Sequence, residues 1–347
     1  MGSLFIEFRD PLFGVIVFFV LVFVIAFFSY WWGRYKKRED YRYLDRFLRQ
    51  FKSMPKESAL SELINGEAVS DKSWLLMAHA HYQNGDYEKS ISIYRALVER
   101  YEDPQQKRDV LFLLGQTYFK AGFLGRAESV LLQILRQFPR TPQALRCLVL
   151  VYEQLRQYDK ALDVLDPLCE LGQENALERL YLECIALMRN TSMDSASKAE
   201  KLIAIHKEHH VLTYFIFEYL FMHHPDLAWK NLDLTRAERL CDIFWGLPKE
   251  KCDLDIISNN GYLRELFSAR GLVKLAQSSS IFEFDVLIKL YQNNEAGATL
   301  QFEYLCSECK QVYPFVFHRC PHCSALDSVV IESILTKDFI EENHSFQ

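Results

Sequence analysis

Four cysteines towards the C-terminal end carry the clearest chemistry in this sequence. Residues 304–323 read YLCSECKQVYPFVFHRCPHC, so Cys306 with Cys309 and Cys320 with Cys323 make two C-x2-C pairs separated by ten residues. A C-x2-C pair folds into a tight knuckle whose backbone amides can donate to thiolates. Two knuckles face to face supply four sulfurs at the corners of a tetrahedron. Four thiolates fill the coordination shell and leave no position for a substrate water, so the expected site is structural rather than hydrolytic. Zinc is favoured, and iron suits the same S4 geometry and would raise electron transfer as a function. His318 and His322 flank the knuckles, but four cysteines already complete the shell. Cys147, Cys169, Cys184, Cys241 and Cys252 follow no motif spacing, and nine cysteines without a disulfide framework point to a reducing compartment.

Short strands at Tyr313–Phe317 and Ser328–Leu335 are expected to support the metal. Most of the chain ahead of it reads as helical. The 347 residues include only 13 glycines and 10 prolines, and half of all residues are hydrophobic. A net charge of -6 argues against bulk nucleic-acid binding, and the knot segment itself carries only Lys310 and Arg319 as basic residues. No phosphate-binding loop, G-x-S-x-G, H-E-x-x-H or kinase signature is present, so no enzyme is expected. The pairs His209-His210 and His223-His224 read as ordinary helix residues, because adjacent helical side chains diverge.

Residues 108–141, RDVLFLLGQTYFKAGFLGRAESVLLQILRQFPRT, place Leu111, Leu114, Gly115, Tyr118, Gly122, Ala127, Leu131, Ile134 and Pro139 at the positions of a 34-residue helix–turn–helix unit. Gly115 and Ala127 let the two helices approach, and Leu114, Tyr118 and Leu131 fill the space around that contact. A second unit starts at Pro142, with Leu145, Leu148, Tyr152, Tyr158, Ala161, Leu165 and Leu168 in the equivalent places. An earlier one starts near Asp71, 37 residues before residue 108. These are tetratricopeptide (TPR) positions, and stacked units would form a solenoid with a binding face. Gln116, Lys120 and Glu153 are candidates for that face, each reading first as an ordinary solvated side chain. Beyond Gly172 the register blurs. Residues 176–210 and 211–247 read as helix pairs, with Ala186 and Ala199 as small-residue positions. TYFIFEYLF at 213–221 reads as deeply buried, turns between short helices occupy 248–280, and a last helix spans Ile281–Gln292.

At the other end, residues 12–32, LFGVIVFFVLVFVIAFFSYWW, hold no charge and are long enough for a hydrocarbon core of about 30 Å. Tyr30, Trp31 and Trp32 suit an interfacial belt. Arg34, Lys36, Lys37, Arg38, Arg42, Arg46, Arg49 and Lys52 follow, which places the body on the cytoplasmic side and the N-terminus outside. The span has no G-x-x-x-G pattern, and homo-oligomerisation is left open.

The expected organisation is an N-terminal transmembrane anchor at 1–33, a basic juxtamembrane helical connection at 34–70, TPR and TPR-like repeats at 71–300, and a four-cysteine domain at 301–347. The fold class is mainly α: a TPR solenoid with a transmembrane helix and a small C-terminal rubredoxin-like or zinc-ribbon domain. This layout resembles the lipopolysaccharide assembly protein B (LapB) family, most closely in LGQTYFKAGFLGRAESVLLQIL, in VYEQLRQYDKALDVLDPL and in the knot. Cys306, Cys309, Cys320 and Cys323 match that family's metal ligands, and Pro321 matches the proline of its second knuckle. Lys310 stands where the family has glycine, and Leu326 where it has tryptophan. The resemblance implies a non-enzymatic adaptor of the bacterial inner membrane, linking the membrane protease FtsH to the deacetylase LpxC and restraining lipopolysaccharide synthesis. A membrane-bound scaffold for another envelope complex, or an iron-containing electron-transfer protein, are the alternatives.

Overall fold

The computed structural model describes residues 21–24, 27, 64, 70–293 and 297–337. The expected connection at 34–70 lies outside them except at Ile64 and Ser70, as does the apolar N-terminal segment except at 21–24 and 27, which are helical and exposed. No helix among the described residues is long and apolar enough to cross a membrane. The chain divides into two compact units, Met1–Val151 and Tyr152–Gln347.

In the first unit, α1 (Asp71–Gln83), α2 (Tyr87–Arg100), α3 (Pro104–Lys120) and α4 (Leu124–Gln137) form successive antiparallel pairs, and α5 (Pro142–Gln154) begins the next. The starts of α1 and α3 are capped by short polar side chains that satisfy otherwise unpaired amides. Ser70 Oγ accepts from the Ser73 amide at 3.3 Å, and Asp103 accepts from the Gln106 amide at 2.9 Å with Pro104 at the first helical position. The expected close contact is present. A Cβ built on Gly115 would lie 3.2 Å from Leu131 Cδ2, so the larger leucine occupies the space the glycine leaves. Ala127, Leu131 and Ile134 of α4 are buried together with Leu111, Leu114 and Tyr118 of α3.

The first helix of each repeat ends in the same way. The Asp86 amide donates to the His81 carbonyl and the Phe123 amide to the Tyr118 carbonyl, both at 2.9 Å, across a glycine in the left-handed region. Those glycines are Gly85 (φ 79°) and Gly122 (φ 80°). At the end of α5 the Gln157 amide closes the same bond to Tyr152, but the left-handed residue is Arg156 (φ 61°).

The second unit continues with α6 (Tyr158–Glu170), α7 (Ala176–Arg189), α8 (Ser195–His209), α9 (Thr213–His223), α10 (Pro225–Asn231), a 3-10 turn at Leu234–Leu240 and α11 (Cys241–Gly246). Short helices α12 (Leu254–Asn259) and α13 (Gly261–Ala269) follow, then α14 (Phe282–Gln292). The buried character expected of residues 213–221 holds: Ile216, Phe217, Leu220 and Phe221 are at most 1% exposed. Their partners are aromatic, with Phe221 edge-on to Trp229 at 5.0 Å and Trp229 stacked on Phe244 at 5.3 Å. Ala199 is fully buried, whereas Ala186 is only partly so.

A three-stranded antiparallel sheet closes the unit, in the order β2 (Val312–Tyr313), β1 (Ala298–Cys306), β3 (Val329–Lys337). Its register sets Tyr304 opposite Ile331 and Tyr313. The strand expected at Tyr313–Phe317 is much shorter, because Pro314 has no amide to offer the ladder. The strand expected at Ser328–Leu335 runs on to Lys337, and β1, which the cysteine spacing did not suggest, pairs along its full length with β3.

Candidate metal centre

The two knuckles are built identically. The Lys310 amide donates to the Cys306 carbonyl at 3.0 Å and the Cys306 amide to the Gln311 carbonyl at 2.9 Å. In the second knuckle, Ser324 donates to Cys320 and Cys320 to Ala325, each at 2.9 Å. Both turns need one residue in the left-handed region, supplied by Lys310 (φ 60°) and Ser324 (φ 63°). A glycine would adopt this conformation at the Lys310 position without strain.

This folding brings the four thiols together, with all four sulfurs within 4.8 Å of one another. Cys306 and Cys323 Sγ are 3.7 Å apart, and Cys309 and Cys320 Sγ 3.6 Å. A tetrahedron with metal–sulfur bonds of about 2.3 Å has edges of about 3.8 Å, so the cluster can hold one metal ion. Amides point at the sulfurs as expected: those of Glu308 and Cys309 at Cys306, and those of His322 and Cys323 at Cys320. Burial opposes ionisation of Cys306, but Ser328 Oγ at 3.5 Å and the two amides outweigh it and hold the thiol down to about 6. Burial also opposes ionisation of Cys320, and its amides again win and lower it. Cys309 is raised, chiefly by burial, and Cys323 is pushed up to about 12 by burial and its sulfur neighbours. The cluster therefore holds one thiol per knuckle below its ordinary pKa, Cys306 in the first and Cys320 in the second. His318 and His322 are not among the clustered donors. His318 Nε2 instead meets Glu218 at 3.0 Å, and its ring lies edge-on to Phe215 at 4.7 Å.

Side chains that the spacing could not reveal join the knot to the helices of its unit. Arg319, next to Cys320, is 14% exposed and makes ion pairs with Glu153 in the last turn of α5 at 2.6 Å and Glu178 of α7 at 2.8 Å. It also covers the Tyr181 ring and donates to the Ser324 carbonyl at 3.1 Å. Burial works against its charge, yet Glu153 and then Glu178 outweigh that and hold its pKa above the ordinary value. Glu153 is accordingly not the solvated side chain its helical position suggests, since only 15% of it is exposed. Asp242 accepts from the hydroxyls of Tyr214 at 2.7 Å and Tyr304 at 2.9 Å, linking α11, α9 and β1. The Leu212 amide, at a left-handed turn, donates to Asp327 at 3.2 Å.

With that geometry established, the repeats match a known family. Residues 75–122 and 112–176 match the tetratricopeptide repeat. Residues 75–176 of the helical body carry TPR repeats. Over 182 residues the chain is 25% identical to anaphase-promoting complex subunit 3 of Schizosaccharomyces pombe, covering 50% of this chain and 27% of that protein. Over 144 residues it is 22% identical to lipopolysaccharide assembly protein B of Escherichia coli K12, covering 41% of this chain and 37% of that one. The matched regions thus span well under half of these relatives. Solved structures of TPR proteins are also similar. One from Thermus thermophilus has a TM-score of 0.31 at 19% identity, covering 56% of this chain and 99% of that one. One from Parabacteroides merdae has a TM-score of 0.37 at 15% identity, covering 74% and 98%.

Proposed function

We propose that this chain is a membrane-anchored, non-enzymatic adaptor that restrains lipopolysaccharide synthesis by presenting LpxC to the protease FtsH. The observation that carries the reading is a TPR body, similar in sequence to a lipopolysaccharide assembly protein, in one chain with a four-sulfur cluster tied to its helices by Arg319. Repeats supply shape and surface rather than reacting groups. The cluster, with Cys306, Cys309, Cys320 and Cys323 as ligands of one ion, zinc ahead of iron, supplies rigidity. Residues 1–33 would span the inner membrane once, with the N-terminus periplasmic and the body cytoplasmic. Such tethering confines the binding surface beside the bilayer and raises its effective concentration towards a membrane protease.

Depleting the protein in its host should lengthen the half-life of LpxC and raise its level; an unchanged half-life would sink the reading. Similarity to anaphase-promoting complex subunit 3 as well supports a second reading, a scaffold for another envelope assembly. Crosslinking that recovers such a complex without FtsH or LpxC would favour it. Metal analysis of the purified protein separates zinc from an iron centre, which would also absorb visible light.

A further inference from the structure

Within the second unit, the last turn of α5, α6, α7, α9 and the loop before Cys320 enclose an open cavity of about 500 Å³. That is the size range of pockets that take a few side chains of a ligand. One wall is apolar and aromatic: Tyr158, Tyr181 and Phe215, with Ile185 and Met188. The one carboxylate in the lining, Glu153, is already held by Arg319, and His318 is engaged by Glu218. Two lining cations, Arg156 and Arg189, are in no ion pair among the described residues; Arg189 only overlies the Tyr158 ring at 6.0 Å. The lining therefore has a cationic excess beside an apolar wall.

Arg156 adds an independent observation. It occupies the left-handed position that the two preceding repeats fill with Gly85 and Gly122, a conformation unfavourable for a long side chain. A strained backbone position retained beside a cavity is where a functional constraint is to be sought.

We infer that this cavity binds a short acidic peptide segment of a client protein, seating an aromatic side chain against Tyr158, Tyr181 and Phe215 and offering carboxylates to Arg156 and Arg189. Guanidinium–carboxylate pairs are charge-assisted and directional, and the aromatic wall supplies the burial. The inference rests on the adaptor reading and specifies which feature of a client would be read.

The test is fluorescence anisotropy with the full-length, metal-loaded protein and the fluorescein-labelled peptide Gly-Gly-Phe-Asp-Glu-Gly. Saturable binding is expected, weaker by about tenfold when Asp-Glu becomes Asn-Gln or when Phe becomes Ser. Arg156→Gly restores the residue type of the other repeats, so it should raise thermal stability while weakening the peptide by about tenfold. Arg189→Gln should weaken binding similarly, and Met188→Trp should fill the cavity and abolish it. Absence of binding, equal affinity for the Asn-Gln peptide, unchanged affinity in Arg156→Gly and Arg189→Gln, or equally tight binding of a labelled oligonucleotide would each overturn the inference. Peptide binding as expected with an unmoved LpxC half-life would support the pocket and remove only the LpxC reading. A lengthened LpxC half-life without peptide binding would do the reverse.

Discussion

Arg319→Met is expected to destabilise the second unit by about 3 kcal/mol at neutral pH. Methionine keeps an apolar stem over Tyr181 but leaves the carboxylates of Glu153 and Glu178, 15% and 24% exposed, without their shared cation. Removing one partner of a buried ion pair costs roughly 3–5 kcal/mol, because the remaining charge is stranded. The greater exposure of Glu178 allows some solvent screening, which places the estimate near the lower bound, ~3 kcal/mol. Loss of the bond to the Ser324 carbonyl adds about 1 kcal/mol at most, because water replaces part of it. The assay is urea unfolding of the metal-loaded protein followed by tryptophan fluorescence, for which buried Trp229 is a reporter within the same unit. The triple variant Arg319→Met, Glu153→Gln, Glu178→Gln should recover most of the loss. A single variant within about 1 kcal/mol of wild type, or a triple variant no better than the single, would refute the reasoning.

The other expectations concern backbone and packing. Lys310→Gly relieves a left-handed φ of 60° and should stabilise the metal-loaded protein to denaturant by about 0.5–1 kcal/mol, with no gain counting against the knuckle geometry. Gly115→Leu would force a side chain into space already held by Leu131 and should cost about 1–3 kcal/mol in thermal or urea unfolding; a neutral result would mean the helix contact is looser than described. Burial pushes the Asp242 carboxyl up despite its two tyrosine donors, so its contribution to stability is fully present below the unfolded value and is lost as pH rises through the folded one. Asp242→Asn keeps one acceptor oxygen and should gain in melting temperature relative to wild type between about pH 4 and pH 7, and parallel curves would count against it.

The most local features were legible from residue order alone. Cys306, Cys309, Cys320 and Cys323 needed only their two-residue gaps to turn towards one another, because each knuckle is closed by bonds from neighbouring amides. The repeats were legible for a related reason: Gly115, Ala127 and Leu131 lie within one helix pair, so their packing is written into a short stretch. The alternation of Gln301 and Glu303 with Leu300, Phe302 and Tyr304 is a strand signal that could have revealed β1. By contrast, no pattern marks Arg319 as the partner of Glu178, 141 residues away, or Asp242 as the acceptor for Tyr214 and Tyr304. Sequence periodicity reports which face of an element is buried, but the partner of a polar group depends on which elements tertiary packing brings alongside it. Glu153 makes the difference concrete. Its position on a helix predicts a solvated carboxylate, and only the chain segment that folds over it, carrying Arg319, turns it into half of a buried ion pair. The sequence therefore determined that there are repeats and a four-sulfur knot. Tertiary structure decided that Arg319 shares buried charge with Glu153 and Glu178, and that a cavity opens beside them within the second unit.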